Sequence, residues 1–291
     1  MITDTPSFHR AAATDETPAA SDTAKSIPTG KHLWSAWSDY FDRNQADASS
    51  LPWHRPHQIP EAKRRPLVTS LAIFQLGESG EGSTLRRFAQ RVSNDPQFEG
   101  YQVALTKFLG EENRHASTLS GLVQRLDGTL LDRQWSHGAF KKLRRLINLE
   151  FELQILMTAE FIAEAYYAIL RDRAGDPVIE RACERILRDE VGHLRFHGDF
   201  FATRQQTWHP VVRHLWAWQC HFIFLVTAHV VWFDHRACFQ ALGTTYGEFL
   251  GFGKRSIRAF MRRIVRQRTR IVEVGTNGSN RRRAVSAWLS A

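Results

Sequence analysis

Glu-x-x-His occurs twice in the 291-residue chain, as Glu112 and His115 in "GEENRHASTL" and as Glu190 and His193 in "RDEVGHLRFH". A carboxylate and an imidazole three residues apart share one side of a helix. Around the first pair, Leu105, Phe108, Leu119 and Leu122 fall on the same side; around the second, Cys183, Ile186, Leu187 and Phe200 do. Both pairs therefore point into an apolar stripe. An unpartnered charged carboxylate costs several kcal/mol to bury. A bound cation removes that cost.

Two more carboxylates have inward positions. Glu160 shares a face with Leu149, Leu153, Leu156, Met157 and Tyr167. Glu81 shares one with Phe74, Leu85, Phe88 and Val92, and Glu78, one turn back, is almost as well placed. Glu81 to Glu112 is 31 residues and Glu160 to Glu190 is 30, so each half reads as a helix with one Glu, a turn, and a helix with Glu-x-x-His. Four carboxylates and two imidazoles match the ligand set of two adjacent iron or manganese ions. The three cysteines, Cys183, Cys220 and Cys238, contain no C-x-x-C. That argues against a thiolate zinc site and a disulfide framework, and fits a reducing cytoplasm.

Four helical segments would position these residues. They run from about Pro66 to Val92, Pro96 to Leu126, Phe140 to Arg173, and Pro177 to Gln205. Asp95 before Pro96, and Asp176 before Pro177, are helix-start signals. The connection from about Asp127 to Ala139 is the long one. No segment alternates with period two, so the expected fold is all-α, an antiparallel four-helix bundle with additional C-terminal helices.

The domain reading follows composition. Residues 1–55 are rich in Ala, Thr, Asp, Ser and Pro and are expected to be mostly disordered, with "HLWSAWSDYF" as a short docking helix. Residues 56–205 form the di-metal bundle, 206–270 a helical extension that is apolar and then basic, and 271–291 a basic tail. The N-terminus has no apolar core and is not a secretory signal. Leu215 to Phe233 is nearly apolar over a membrane-spanning length. It contains Gln219, His221, Thr227 and His229, which a bilayer would penalise. It is expected as a fifth buried helix that caps the bundle or forms a dimer interface. His214, His221 and His229 recur on roughly one side of it, lining an interface or a cavity. The formal charge of +9 is concentrated in "GKRSIRAFMRRIVRQRTR" and in Arg281 to Arg283. Such a segment suits an anionic membrane surface or an acidic partner, or is a solvated helix; a nucleic-acid partner is not expected.

Over about residues 65–205 the sequence resembles the ferritin-like di-iron carboxylate proteins. "EENRH" is similar to a signature of the soluble acyl-carrier-protein desaturases, and "RDEVGH" to the D-E-x-x-H box of the same superfamily. "AEFIAEAYYAILRD" resembles the third helix, with its ligand Glu near the start. "GESGEGSTL" looks like the first-helix segment of bacterial ferritin-like oxidases. The first helix departs from the desaturase pattern, which leaves Glu81 and Glu78 both open.

The resemblance implies that Glu81 (or Glu78), Glu112, His115, Glu160, Glu190 and His193 hold two iron ions, or a Mn/Fe pair, that activate O2. Glu112, with Glu160 or Glu190, would bridge the ions, and Glu112 and Glu190 would carry the reaction. Glu111 and Asp189 would orient ligand imidazoles across the bundle. Glu164 is a further carboxylate candidate and His197 an extra ligand or a core histidine. Tyr166 and Tyr167 are core aromatics or relays. The implied activity is oxidation of a small molecule or acyl chain by desaturation, hydroxylation or N-oxygenation, with a separate electron donor. An iron-handling ferroxidase and a membrane-associated interaction protein with a structural metal are the other readings. A homodimer is open, and the expected location is cytoplasmic or peripheral to the membrane.

Overall fold

A computed structural model describes residues 31–46, 51–79, 82–135, 138 and 149–289. Among the described residues there is no strand. The helices that carry the fold are α1 (Lys31–Ala46), α2 (Glu61–Glu78), α3 (Ser83–Val92), α4 (Tyr101–Arg125), α5 (Leu149–Arg173), α6 (Pro177–Arg204), α7 (Pro210–Ala241) and α8 (Tyr246–Leu289).

Helix α2 packs on α4, α4 on α6, and α6 on α5. Helix α5 also touches α2, where Phe74 stacks on Tyr166 at 3.7 Å. The short turn Ala174–Asp176 makes α5 and α6 antiparallel neighbours. Asp176 starts α6 by accepting the N–H groups of Val178 and Ile179 at 3.0 and 3.1 Å. The Arg125 guanidinium, at the end of α4, grips the same carboxylate with two bonds of 3.0 and 2.9 Å. This buried pair locks the end of α4 to the start of α6, which fixes the relative height of the two Glu-x-x-His turns. Asp95 caps a single 3₁₀ turn, Pro96–Phe98, and not α4 itself.

The first expected helix is two. It breaks after Glu78, in a stretch with three glycines in six residues, and resumes at Ser83. Gly82 is left-handed at φ 61°, and a Cβ there would meet Leu109 at 2.6 Å. Glycine is the residue that allows both the turn and the contact. Of the expected third helix, the described part begins at Leu149.

Within the 1–55 segment, α1 lies against α4. Trp34 and Phe41 are fully buried among aromatic rings that include Tyr101 and Phe196. Each such side chain contributes about 2–3 kcal/mol. The indole N–H groups are satisfied: Trp34 donates to the Gln97 carbonyl at 2.7 Å and Trp37 to Asp199 at 3.1 Å.

Helix α7 covers α2 and α5, and α8 covers α5 and α6. By length and composition α5 and α7 could each cross a bilayer, but α5 is a core helix. Helix α7 is not the wholly buried helix expected. One side, with Trp216, Cys220, Phe224 and Cys238, is buried, while Leu215, Trp218 and Phe222 are exposed. Helix α8 also continues to Leu289, through the boundary at 270 where the sequence suggested a tail.

Candidate metal centre

Helices α4 and α6 bring their two Glu-x-x-His turns face to face. Glu112, His115, Glu190 and His193 each place a ligand atom within 4.8 Å of all the others. His193 and Glu190 are fully buried and His115 nearly so, while the Glu112 side chain keeps 14% exposure. The His115 and His193 ring centres are 5.4 Å apart.

Both imidazoles aim Nδ1 inward. His193 Nδ1 lies 2.9 Å from Glu112 Oε1 and 3.4 Å from Glu190 Oε2. His115 Nδ1 lies 3.4 Å from Glu190 Oε1. Close as they are, these atoms lack hydrogen-bond geometry: Glu112 Oε1, both Glu190 oxygens and both Nδ1 atoms are buried without a partner. Buried polar atoms in native proteins are rarely left so. Their convergence on one point fits a cation, and two imidazoles with hard carboxylates suit a divalent transition metal. The cluster can therefore hold a metal ion.

The outward nitrogens are held in a reciprocal arrangement. His115 Nε2–H, on α4, donates to Asp189 on α6 at 3.1 Å. His193 Nε2–H, on α6, donates to Glu111 on α4 at 2.9 Å. Each bond fixes a tautomer and leaves the Nδ1 lone pair free for a metal. The acidic residue before each cluster Glu thus serves the histidine of the opposite helix.

The remaining two helices each add a carboxyl group. Glu160, on α5, comes within 3.8 Å of His193 Nδ1. Glu78, the last residue of α2, accepts the Tyr167 O–H at 2.8 Å and lies beside Glu112. Burial, and then the charges of Glu112 and Glu190, hold the Glu78 carboxyl well above the ordinary carboxylate range. Burial, with Glu190 and Glu112, does the same to Glu160. For His115, burial alone would lower the pKa, but the hydrogen bond to Asp189 and the nearby Glu190 carboxylate lift it to about 10. His193 is raised likewise, against burial, by the Glu112 charge and the Glu111 contact. Burial alone would raise Glu190, but the close approach of Glu160 and both imidazoles pushes it low.

No protein-family model matches this chain, and neither does any curated protein or solved structure. The reading of the site rests on its geometry.

Glu81 lies outside the described residues; Glu78 is the α2 carboxyl that reaches the cluster. Glu164 turns away from it and accepts the Ser256 hydroxyl from α8. His197 stands one turn beyond His193, against the Phe108 and Phe196 rings, with neither nitrogen bonded. Burial, then the His193 charge, lowers it to about 3, so it is neutral. His214, His221 and His229 are exposed and donate Nδ1–H to carbonyls of their own helix, each at 2.8 Å. Sequence reasoning missed a buried chain behind the site, in which Ser70 joins the Tyr166 hydroxyl at 2.9 Å to His235 Nδ1 at 2.7 Å. Its members are 96 and 165 residues apart, and no local pattern relates them.

Proposed function

We propose that the protein is an O2-dependent di-metal oxidase or oxygenase with a ferritin-like arrangement of α2, α4, α5 and α6. The single observation that carries this reading is the pairing of two Glu-x-x-His turns, each imidazole braced by the other helix. Glu78, Glu112, His115, Glu160, Glu190 and His193 would hold two iron ions or a Mn/Fe pair. When bound, such a pair supplies the electrons that reduce O2.

The chain's own residues do the rest. Glu112 and Glu190, which lie between the two imidazoles, would be carboxylate ligands. Glu78 and Glu160 would be further carboxylate ligands, and their charge would balance that of the cations. Tyr167 steadies the Glu78 carboxyl from outside the cluster. Phe108 and Phe41 wall the His193 side and exclude water there. Glu112, the more exposed of the cluster carboxylates on α4 and α6, marks the side from which O2 and an organic substrate, a small molecule or an acyl chain, would enter. Electrons come from a separate donor protein.

The test is anaerobic loading with two equivalents of Fe(II), followed by O2. The reading expects O2 uptake with loss of Fe(II), and loss of both metals in Glu112→Ala and in His115→Ala. A protein that binds no iron overturns it.

A further inference from the structure

Helix α7 has a second apolar side that the fold leaves uncovered. Leu215, Trp218, Phe222, Leu225, Val226 and Phe233 lie along it, with Trp218 at 67% and Phe233 at 63% exposure. From Val211 to Phe233 this side is about 33 Å long at 1.5 Å per residue. With Val211 and Val212 it presents eight exposed apolar side chains on one helix, where exposed apolar residues on a soluble monomer are ordinarily scattered singly. No Lys, Arg, Asp or Glu stands between Arg213 and Asp234.

The helix that packs on the other side of α7 is cationic. The first turns of α8 return along α7: Gly253 sits against the Phe224 ring, and Trp232 meets Tyr246 and Phe249. The outward arc of α8 carries Lys254, Arg255, Arg258, Arg262 and Arg266, all exposed. Arg263, by contrast, turns back to pair with Asp199. Residues 210–272 contain ten Lys and Arg against two acids, Asp234 and Glu248. Both acids are engaged, Asp234 by the Trp135 indole and Glu248 by Arg173.

We propose that the α7–α8 layer is a docking face for an anionic lipid bilayer. The aromatic side of α7 would sit at the boundary between headgroups and acyl chains, with the α8 cations on lipid phosphates. Charge complementarity selects this occupant over a second copy of the chain. A second copy would cover the apolar side but would bring the same cations and almost no acids to meet them. An anionic bilayer supplies both the apolar and the anionic half. The inference is independent of the metal centre, because no cluster residue takes part.

Flotation of the full-length protein tests it, using neutral phosphatidylcholine vesicles and vesicles with about one-third phosphatidylglycerol. Light scattering on the same sample without vesicles reads the oligomeric state. The protein should float with the anionic vesicles, at least tenfold less with the neutral ones, and less again at high salt. Replacing Lys254, Arg258 and Arg262 by Gln should lower partitioning roughly 100-fold. Trp218→Glu with Phe222→Glu should reduce it to background; both side chains are exposed, so the melting temperature should hold. No flotation on anionic vesicles overturns the proposal, as does flotation that survives both sets of substitutions. A stable dimer that Trp218→Glu splits would assign the face to a second copy and also overturn it.

Discussion

Glu160 offers a substitution whose effects on stability and on metal binding should separate. Burial, then the Glu190 and Glu112 charges, raises its pKa well above the usual carboxylate range. A glutamine amide is neutral, nearly the same size, and can donate to a neighbouring carboxylate. The metal-free Glu160→Gln protein should therefore melt within about 2–4 °C of the parent, the shift that 1 kcal/mol produces in a chain of this size. Metal binding should differ sharply. A metal present at 1,000 times its Kd stabilises the folded state by about 4 kcal/mol, or about 8–16 °C per ion. Glutamine cannot supply the negative charge of a carboxylate ligand. Loss of even an outer partner of a metal ligand costs about 10–100-fold in affinity, so the metal-induced shift should shrink by at least about 3–10 °C. The assay is thermal unfolding followed by circular dichroism, in chelator and then with anaerobic Fe(II) or Mn(II). A large fall in the metal-free melting temperature would show that Glu160 is ionised and structural. An undiminished metal-induced shift would remove Glu160 from the ligand set.

Asp189→Ala should lower metal affinity about 10–100-fold by freeing the His115 ring, and titration calorimetry would read it; Asp189→Asn, which can still accept the Nε2–H bond, should recover part of the loss, and no loss in either would end the positioning role. His235 provides a pH test away from the cluster: burial lowers its pKa to about 3 against about 6.5 in the unfolded chain. Between those values the unfolded state binds the extra proton, so stability falls as pH falls, by about 2 kcal/mol between pH 6.5 and 5. His235→Asn should flatten that part of the urea-denaturation profile, and an unchanged slope would refute the buried neutral state.

The sequence by itself determined the local features. Helix faces follow from a 3.6-residue period, so the inward direction of Glu112, His115, Glu160, Glu190 and His193 was legible before any packing was known. The Asp176–Pro177 start of α6 was legible for the same reason, since a cap needs only its own next few residues. The tertiary structure decided what depends on distant partners. Glu78 reaches the cluster because α2 ends there, before Gly82, whose Cα lies close to Leu109 of α4; the 31-residue spacing and Leu85 had favoured Glu81, with Glu78 open, and Glu81 lies outside the described residues. The reciprocal bonds of Glu111 to His193 and Asp189 to His115 follow from the relative height of α4 and α6, which Arg125 and Asp176 set across 51 residues. Helix α7 is apolar on all sides in sequence, and hydropathy cannot tell a side packed on α2 and α5 from one left to the surroundings. Only the packing of neighbouring helices chooses between them, and that choice turns one of its apolar sides into core and the other into an exposed surface.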